Sequence, residues 1–251
     1  MAEPQTTLIT VFHNGIHALK LLWRSFSNAN PEPALFWCYD NASNDGSGYY
    51  AKSVSNYTFR SCCNYGHGRG LDTLCAKVRT PYTLIADVDV EFLQPATARM
   101  IAELKGTPSA LCTAYPSLKE ECVVVNNYLG SNLSGQKRIN PCCAMFDTLK
   151  LQQVLKYFSF GVYGGPGKFY DVGAMIYTAS LACNLSVLEP TWIRQAVRHY
   201  GGIGGYVSGA FPKDSPKFIA SQKAYSLIEQ RAASYAEPGR KLNEAIFELE
   251  A

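Results

Sequence analysis

The sequence predicts an α/β protein with a mostly parallel sheet that is flanked by helices on both faces. Short apolar runs rich in Val, Ile, Leu and aromatic residues alternate with segments whose apolar residues recur at helical spacing. The connections between them are short and rich in Gly, Asn, Asp and Ser, which are turn formers. This alternation of strands and helices is typical of a parallel sheet covered by helices.

The elements of the first half follow from these patterns in chain order. The predicted strands are Thr7–Phe12, Ala34–Tyr39, Asn56–Phe59 and the run Tyr82–Phe92. The predicted helices are Ile16–Phe26 and Leu71–Val78. Strands are expected where β-branched and aromatic residues precede turn formers, and helices where apolar residues are spaced by three and four.

The second half of the chain is less regular. The predicted strands are Ala110–Tyr115, Cys122–Val125, Asn140–Asp147 and Leu185–Leu188. The predicted helices are Ala98–Leu104, Leu149–Tyr157, Asp171–Ala179, and residues 217–234 and 239–250. Residues 126–138 and the glycine-rich segments 159–168 and 199–209 are predicted as loops. The apolar face of the last helix must pack on the core or on another chain, so homo-oligomerisation through it stays open.

Composition narrows the class of protein. The chain has 251 residues, of which 47% are hydrophobic, so it supports a large buried core. A net charge of +3 without a basic run argues against nucleic acid as a partner. No apolar stretch approaches a membrane span, and the N-terminus lacks a signal peptide. The chain has nine cysteines, and several lie in apolar runs, which favours a reducing, cytoplasmic location. None of them forms a CxxC pair, which argues against a zinc site.

Two carboxylates stand out at the end of the fourth predicted strand. Asp87 and Asp89 are one residue apart, so in a strand both would point to the same face. Such a pair suits a hard divalent cation. Strand-end carboxylates also often serve only as caps, but the ends of parallel strands meet at one edge of a sheet. His13, Asp40 and Asp87 all follow predicted strands, and their convergence there favours a functional site.

These ordered motifs resemble the nucleotide-sugar glycosyltransferases of the GT-A fold, in particular family 2. The resemblance runs from about Thr7 to Gly205. It depends on the segments 8–14, 40–47 and 64–72, on the Asp-x-Asp motif, on Tyr170-Asp171-Val-Gly173, and on His199 before two glycines. It implies one GT-A-like domain with a nucleotide-binding half at about 1–110, an acceptor half at about 111–210 and a C-terminal helical extension at about 211–251.

The resemblance also implies roles for individual residues. Asp89 and His199 would bind Mn2+ or Mg2+, and Asp87 would contact the ribose or sugar and help to position the metal. Asp40 would accept a hydrogen bond from the base edge. The remaining nucleotide contacts would come from Thr10, Phe12, Asn14 and Arg69.

The same resemblance places the catalytic base at Asp171. That carboxylate would take the proton of the acceptor hydroxyl, as inversion at the sugar carbon requires. The family often has Glu-Asp where this chain has Tyr170-Asp171, so Asp147 is a second candidate for the base. Glu91 is expected to assist at the metal or to be solvated.

The implied function is metal-dependent transfer of a sugar from a nucleoside-diphosphate sugar to a glycan, lipid-linked or other hydroxyl acceptor. Two alternatives stay open: a non-catalytic nucleotide-sugar binding protein of the same fold, and a sugar nucleotidyltransferase. The latter normally has a glycine-rich loop with Arg and Lys after its first strand, whereas this chain has His13-Asn-Gly15. A dinucleotide oxidoreductase is disfavoured by the glycine spacing at 66–70.

Overall fold

The alternating apolar runs and amphipathic segments form one large mixed sheet with helices on both faces in the computed structural model. The structure describes residues 3–117, 124–126, 131–133, 137–161, 168–170, 172–207, 209–238 and 246–249. The strands are β1 Thr6–Phe12, β2 Ala34–Asp40, β3 Tyr57–Arg60, β4 Tyr82–Ala86, β5 Val90–Phe92, β6 Ala110–Ala114, β7 Val124–Asn126, β8 Ser131–Leu133, β9 Cys143–Asp147, β10 Lys168–Tyr170, β11 Ser186–Leu188, β12 Val197–His199 and β13 Ile246–Leu249. The helices are α1 Ile16–Ala29, α2 Ser47–Val54, α3 His67–Lys77, α4 Thr97–Gly106, α5 Thr148–Leu155, α6 Ala174–Ala182, α7 Ile193–Ala196, α8 Ile203–Val207 and α9 Pro216–Ser234.

The main sheet brings the ends of the early strands to one edge. Its strand order is β11-β6-β9-β4-β1-β2-β3-β13 among the described residues. All neighbouring pairs are parallel except those made by β9, which runs antiparallel to both β4 and β6. Phe12 pairs with Asp40, so β1 and β2 end side by side. The fold class predicted from the sequence is therefore confirmed.

Two apolar cores cover the two faces of this sheet. One face packs against α1, α2 and α4, and the other against α3, α5 and α6. On the α1 side, Trp23 stacks on Phe36 with ring centroids 4.6 Å apart. Side chains alternate between the two faces of β1, so this strand contributes to both cores. Leu8 and Phe12 face the first core, whereas Ile9 and Val11 face the second. Burial on both faces leaves the strand ends as the place for polar groups.

Two smaller sheets and a helix complete the structure. β5 and β12 form an antiparallel two-stranded ribbon. A second small sheet has the antiparallel order β10-β7-β8. Helix α9 packs against α1 through a third apolar cluster that includes Leu21 and Ile228. Within the described ranges, none of the helices is long and apolar enough to cross a membrane.

Three predictions about the second half need correction. Residues 246–249 form the strand β13 beside β3, not a helix, because the open edge of β3 offers backbone hydrogen bonds that outweigh the helical apolar spacing. The predicted loop 126–138 contains the strand β8. Helix α6 begins at Ala174, with Gly173 at its N-cap. The C-terminal helix predicted at 217–234 is confirmed as α9.

The turns after β1 and β2 are locked to each other by Asp45. Gly15 is the N-cap of α1 and carries no side chain for capping. Asp45 takes over this role, because its Oδ2 accepts hydrogen bonds from the backbone N–H groups of Gly15 at 2.6 Å and Ile16 at 3.1 Å. Burial alone would raise the pKa of Asp45, but the hydrogen bonds from Ser47, Ile16 and Gly15 lower it below its usual value.

We expect Asp45→Ala to lower the free energy of unfolding by about 1 kcal/mol near neutral pH, since it removes a helix cap on a largely exposed side chain. The depressed pKa means that this contribution is present above the unfolded-state pKa of about 4 and is lost as the pH falls through the folded-state value. Urea unfolding at pH 7 and at pH 3 measures the difference. A gap between wild type and variant that widens at low pH would contradict this account.

Candidate functional site

The two carboxylates of the Asp-x-Asp motif lie in a turn at the carboxyl edge of the sheet. β4 ends at Ala86, and Asp87 and Asp89 precede β5, so the prediction that they share a strand is wrong. Asp87 N still donates to Cys142 O beside β9 at 3.1 Å, after which the chain turns away and β5 pairs with β12. The turn nevertheless brings both carboxylates to the same side.

His199 completes a three-residue cluster with the two carboxylates. It is the last residue of β12 and pairs with Val90 across the ribbon. Its Nε2 lies 3.2 Å from Asp89 Oδ1 and 3.8 Å from Asp87 Oδ2. One ligand atom from each of the three residues lies within 4.8 Å of the others. Residues more than 100 positions apart in the sequence therefore meet at one point.

This donor set fits a divalent metal ion. Carboxylate oxygens and an imidazole nitrogen suit Mn2+, Mg2+ or a similar ion, and three protein ligands leave coordination positions for water or for phosphate oxygens. Asp89 is buried, whereas Asp87 and His199 are partly exposed, so the cluster opens towards solvent on one side. Asp87 Oδ1 is buried and has no hydrogen-bond partner among the described residues, which is the state expected of an atom that awaits a ligand.

His67 is a further member of the site that the sequence did not single out. It begins α3, and its Nε2 lies 3.4 Å from Asp87 Oδ1. Like that carboxylate oxygen, His67 Nε2 is buried and makes no hydrogen bond within the described part of the chain. The only signal for His67 in the sequence is indirect, namely that a histidine lies inside the glycine-rich segment 64–70.

The electrostatics of the cluster reflect two like charges held close together. Burial raises the pKa of Asp87 above its usual value, and the Asp89 carboxylate adds to the increase, although the charges of His67, His199 and Arg138 oppose it. Burial alone would lower the pKa of His199, but the neighbouring Asp89 and Asp87 carboxylates raise it overall. A divalent cation would relieve the repulsion between the carboxylates.

Three residues predicted to contact a nucleotide are buried in this structure. Thr10 and Asp40 are 0% exposed and Phe12 is 2% exposed. Asp40 Oδ1 accepts from Ser43 N at 2.8 Å, and Asp40 Oδ2 lies 3.3 Å from Arg60 Nη1. A Cβ atom on Gly48 would lie only 2.2 Å from Asp40 Oδ2, so α2 covers this carboxylate closely. In this conformation these side chains offer a ligand almost no accessible surface.

The other two predicted nucleotide contacts are partly or fully exposed. Asn14 has a φ of 61° and accepts a hydrogen bond from Asn44 N at 2.9 Å, so it joins the turns after β1 and β2. Arg69 lies on α3 with its guanidinium 4.4 Å from the centre of the Tyr65 ring. Asn14 lies in the turn after β1, and Arg69 lies in the first turn of α3.

Two residues, Asp171 and Asp147, are candidates for the catalytic base. Asp171 lies outside the described residues. Asp147 ends β9 and pairs with Tyr82 at the start of β4, because β9 is antiparallel to β4. It therefore lies at the edge opposite to Asp87, where it caps α5 by accepting from Lys150 N at 3.1 Å. The alternative assignment of the base to Asp147 is wrong.

Glu91 also departs from its expected role. It neither reaches the carboxylate cluster nor lies in solvent, since it is 0% exposed and hydrogen-bonded to Arg231, Tyr200 and Tyr235. Burial alone would raise the pKa of Glu91, but these partners outweigh the effect and hold the pKa below its usual value. The turn before β5 explains the error, because it breaks the strand alternation from which the side-chain direction was inferred.

Comparisons with known proteins identify a family and a similar fold. Residues 7–141, more than half of the chain, match the family model described as Glycosyl transferase family 2. The fold is similar to the mannosyltransferase PcManGT from Pyrobaculum calidifontis in complex with GDP-Man and Mn2+, with a TM-score of 0.53 and 14% identity over 93% of this chain and 74% of that chain. TarS 1-349 from S. aureus in complex with UDP gives a TM-score of 0.45 and 14% identity, over 61% of this chain and 50% of that one. None of the curated proteins matches.

We expect His199→Ala to weaken Mn2+ binding by about tenfold or more, because it removes one of three protein donors. Isothermal titration calorimetry of the protein with MnCl2 measures the change. His17→Ala is the matched control, since His17 lies on α1 beside Glu229 at 3.4 Å and outside the cluster. Equal losses in both variants would show that the effect is not specific to the cluster.

Proposed function

The chain belongs to glycosyl transferase family 2, and on that premise we propose that it is a divalent-metal-dependent glycosyltransferase. The proposed reaction moves a sugar, with inversion, from a nucleoside-diphosphate sugar to an acceptor hydroxyl. The observation that carries the proposal is the convergence of Asp87, Asp89 and His199 at the carboxyl edge of the sheet. In open α/β sheets this edge is where ligands bind.

The first part of the proposal concerns the leaving group. A bound Mn2+ or Mg2+ would neutralise the negative charge that develops on the nucleoside diphosphate. Asp89 and His199 hold the metal, and Asp87 contacts the ribose or sugar and orients the metal. The similar mannosyltransferase in complex with GDP-Man and Mn2+ supports Mn2+ and a nucleoside-diphosphate hexose as the first ligands to test.

The second part concerns the nucleotide. We assign the base edge to Asp40 and the pocket walls to Thr10, Phe12 and Asn14, with Arg69 at the diphosphate. Thr10 Oγ1 is a buried polar atom without a hydrogen bond among the described residues, which supports its use as a ligand contact. Asp40 Oδ2 pairs with Arg60 Nη1 at 3.3 Å, so a base would have to compete with this ion pair. Access to Asp40 also requires the start of α2 to move outward, since α2 covers it.

The third part concerns the acceptor. Asp171 takes the proton of the acceptor hydroxyl as that oxygen attacks the sugar carbon and the bond to the diphosphate breaks. The position of Asp171 in the family motif, two residues before Gly173, supports this assignment. Gly173 itself lies against Ile139, whose N donates to Gly173 O at 3.3 Å.

The remaining assignments rest on the family resemblance. We assign about 1–110 to a nucleotide-binding half, about 111–210 to an acceptor half and about 211–251 to a C-terminal extension of one catalytic domain. The acceptor is a glycan, a lipid-linked hydroxyl or another hydroxyl compound. A cytoplasmic location is proposed from the burial of Cys38, Cys75 and Cys112, which behave as small apolar core residues.

We expect nucleoside diphosphates to raise the melting temperature only when Mn2+ is present, because a ligand that binds only the folded state stabilises it. A thermal-shift screen of GDP, UDP, ADP and CDP, each with and without MnCl2, tests this. Asp89→Asn should abolish the shift, whereas Asp214→Asn at an exposed loop position should preserve it. A screen without any shift would remove the main support for a nucleotide-dependent enzyme.

We expect Asp171→Asn to lower turnover by about 100-fold or more while donor binding is retained, since it removes only the proton acceptor. Release of nucleoside diphosphate and the melting-temperature shift measure the two quantities separately. Asp147→Asn is the matched control, because Asn caps a helix as well as Asp does and the residue lies at the opposite edge. Normal turnover in Asp171→Asn would refute the assignment of the base. Donor binding without turnover in the wild type would favour the non-catalytic alternative. Release of pyrophosphate from a nucleoside triphosphate and a sugar 1-phosphate would favour the nucleotidyltransferase.

A further inference from the structure

The ribbon formed by β5 and β12 has two faces with different chemistry. Arg198 lies directly opposite Glu91 in the antiparallel pairing, and His199 lies opposite Val90. Because side chains alternate along a strand, Arg198 and Tyr200 point to the face that carries Glu91, whereas His199 points to the other. The His199 face therefore also carries Val90 and Val197 of the first apolar core, whereas the Glu91 face meets α9.

The Glu91 face is held by a network around this buried carboxylate, which we name the Glu91 clamp. It consists of Glu91, Arg198, Tyr200, Arg231 and Tyr235. Glu91 Oε1 accepts from Arg231 Nε at 2.8 Å and from the Tyr235 hydroxyl at 2.9 Å. Glu91 Oε2 accepts from the Tyr200 hydroxyl at 2.7 Å and lies 3.5 Å from Arg198 Nη1. Both carboxylate oxygens of a fully buried residue are thus paired.

The clamp joins three elements that are distant in sequence. Glu91 belongs to β5, Arg198 and Tyr200 flank His199 at the end of β12, and Arg231 and Tyr235 belong to the last turn and C-cap of α9. In addition, Tyr200 N donates to Asp89 O at 3.1 Å. Both chain neighbours of His199 are therefore fixed by Glu91, and one of them also fixes the backbone of Asp89.

We propose that Arg231 of α9 is a positioning residue for the metal site, acting through Glu91 on His199 and Asp89. This inference deepens the proposed function and rests on it for the role of the metal. Removal of Arg231 leaves a buried carboxylate without its main cationic partner, which is strongly unfavourable. The strands β5 and β12 then move away from α9 so that water reaches the Glu91 carboxylate. As a result, the distance between His199 and Asp89 is no longer fixed.

The first experiment compares two variants of the contact between α9 and the rest of the protein. Arg231→Met removes the charge but keeps an apolar stem. Arg24→Met is the matched control, because Arg24 of α1 holds the same end of α9 through Ala232 O at 2.7 Å and through Glu237 without touching Glu91. Mn2+ binding to both variants is measured by calorimetry at a temperature where both are fully folded.

We expect Arg231→Met to weaken Mn2+ binding by about tenfold. Residues that hold the metal ligands in place typically change metal affinity by about 10- to 100-fold, and the expected effect is the lower end of that range. Arg24→Met should lower the melting temperature but leave Mn2+ affinity within about twofold of wild type. Arg231→Lys, which restores a charge without the bidentate geometry, should recover part of the affinity. Wild-type Mn2+ affinity in Arg231→Met would overturn the inference.

A second measurement separates this inference from the proposed function. Amide hydrogen exchange of residues 197–200 reports the order of β12 without any metal. We expect exchange there to accelerate in Arg231→Met and to stay unchanged in Arg24→Met. If the wild type binds no Mn2+, the metal-dependent function fails, and exchange alone decides whether the Glu91 clamp orders β12. Equal amide exchange in the wild type, Arg231→Met and Arg24→Met would overturn the inference that the Glu91 clamp orders β12.

Discussion

The parallel pairing of β1 with β2 and β4 is the constraint on which the rest of the structure depends. Because both faces of these strands are buried under helices, their charged side chains lie only where the strands end. The pairing aligns those ends, so the turns that carry Asn14, Asp45 and Asp87 are adjacent. The concentration of acidic groups at one edge is a consequence, and it raises the pKa of Asp87 through burial and repulsion from Asp89. The charges of His67, His199 and Arg138 lower the pKa of Asp87, but they offset this increase only in part.

The sequence predicts well those features that depend on local patterns. The apolar runs and turn formers gave the strands of the first half, and the helical spacing gave α1, α3 and α9. The position of Asp87 and Asp89 at the ligand edge also followed from the pattern of strand ends. His199 did not follow from any local pattern. Its assignment came from the resemblance to a family, and only the pairing of β12 with β5 explains how it reaches the carboxylates.

The errors come from interactions between residues that are far apart in sequence. Glu91 was expected near the metal because a continuous strand would have carried it there, but its partners lie 107 to 144 positions away on β12 and α9. Residues 246–249 have helical apolar spacing, yet the free edge of β3 makes them a strand. His67 was overlooked because nothing in the glycine-rich segment indicates that its ring points at Asp87. In each case tertiary contacts override a local preference.

The Glu91 clamp has a consequence for the order in which the site is built during protein synthesis. Asp87, Asp89 and Glu91 leave the ribosome more than 100 residues before His199, and Arg231 follows later still. A nascent chain can thus pair β1, β2 and β4 while three carboxylates at their edge lack their partners from β12 and α9. The acidic turn therefore reaches its final environment only when α9 docks.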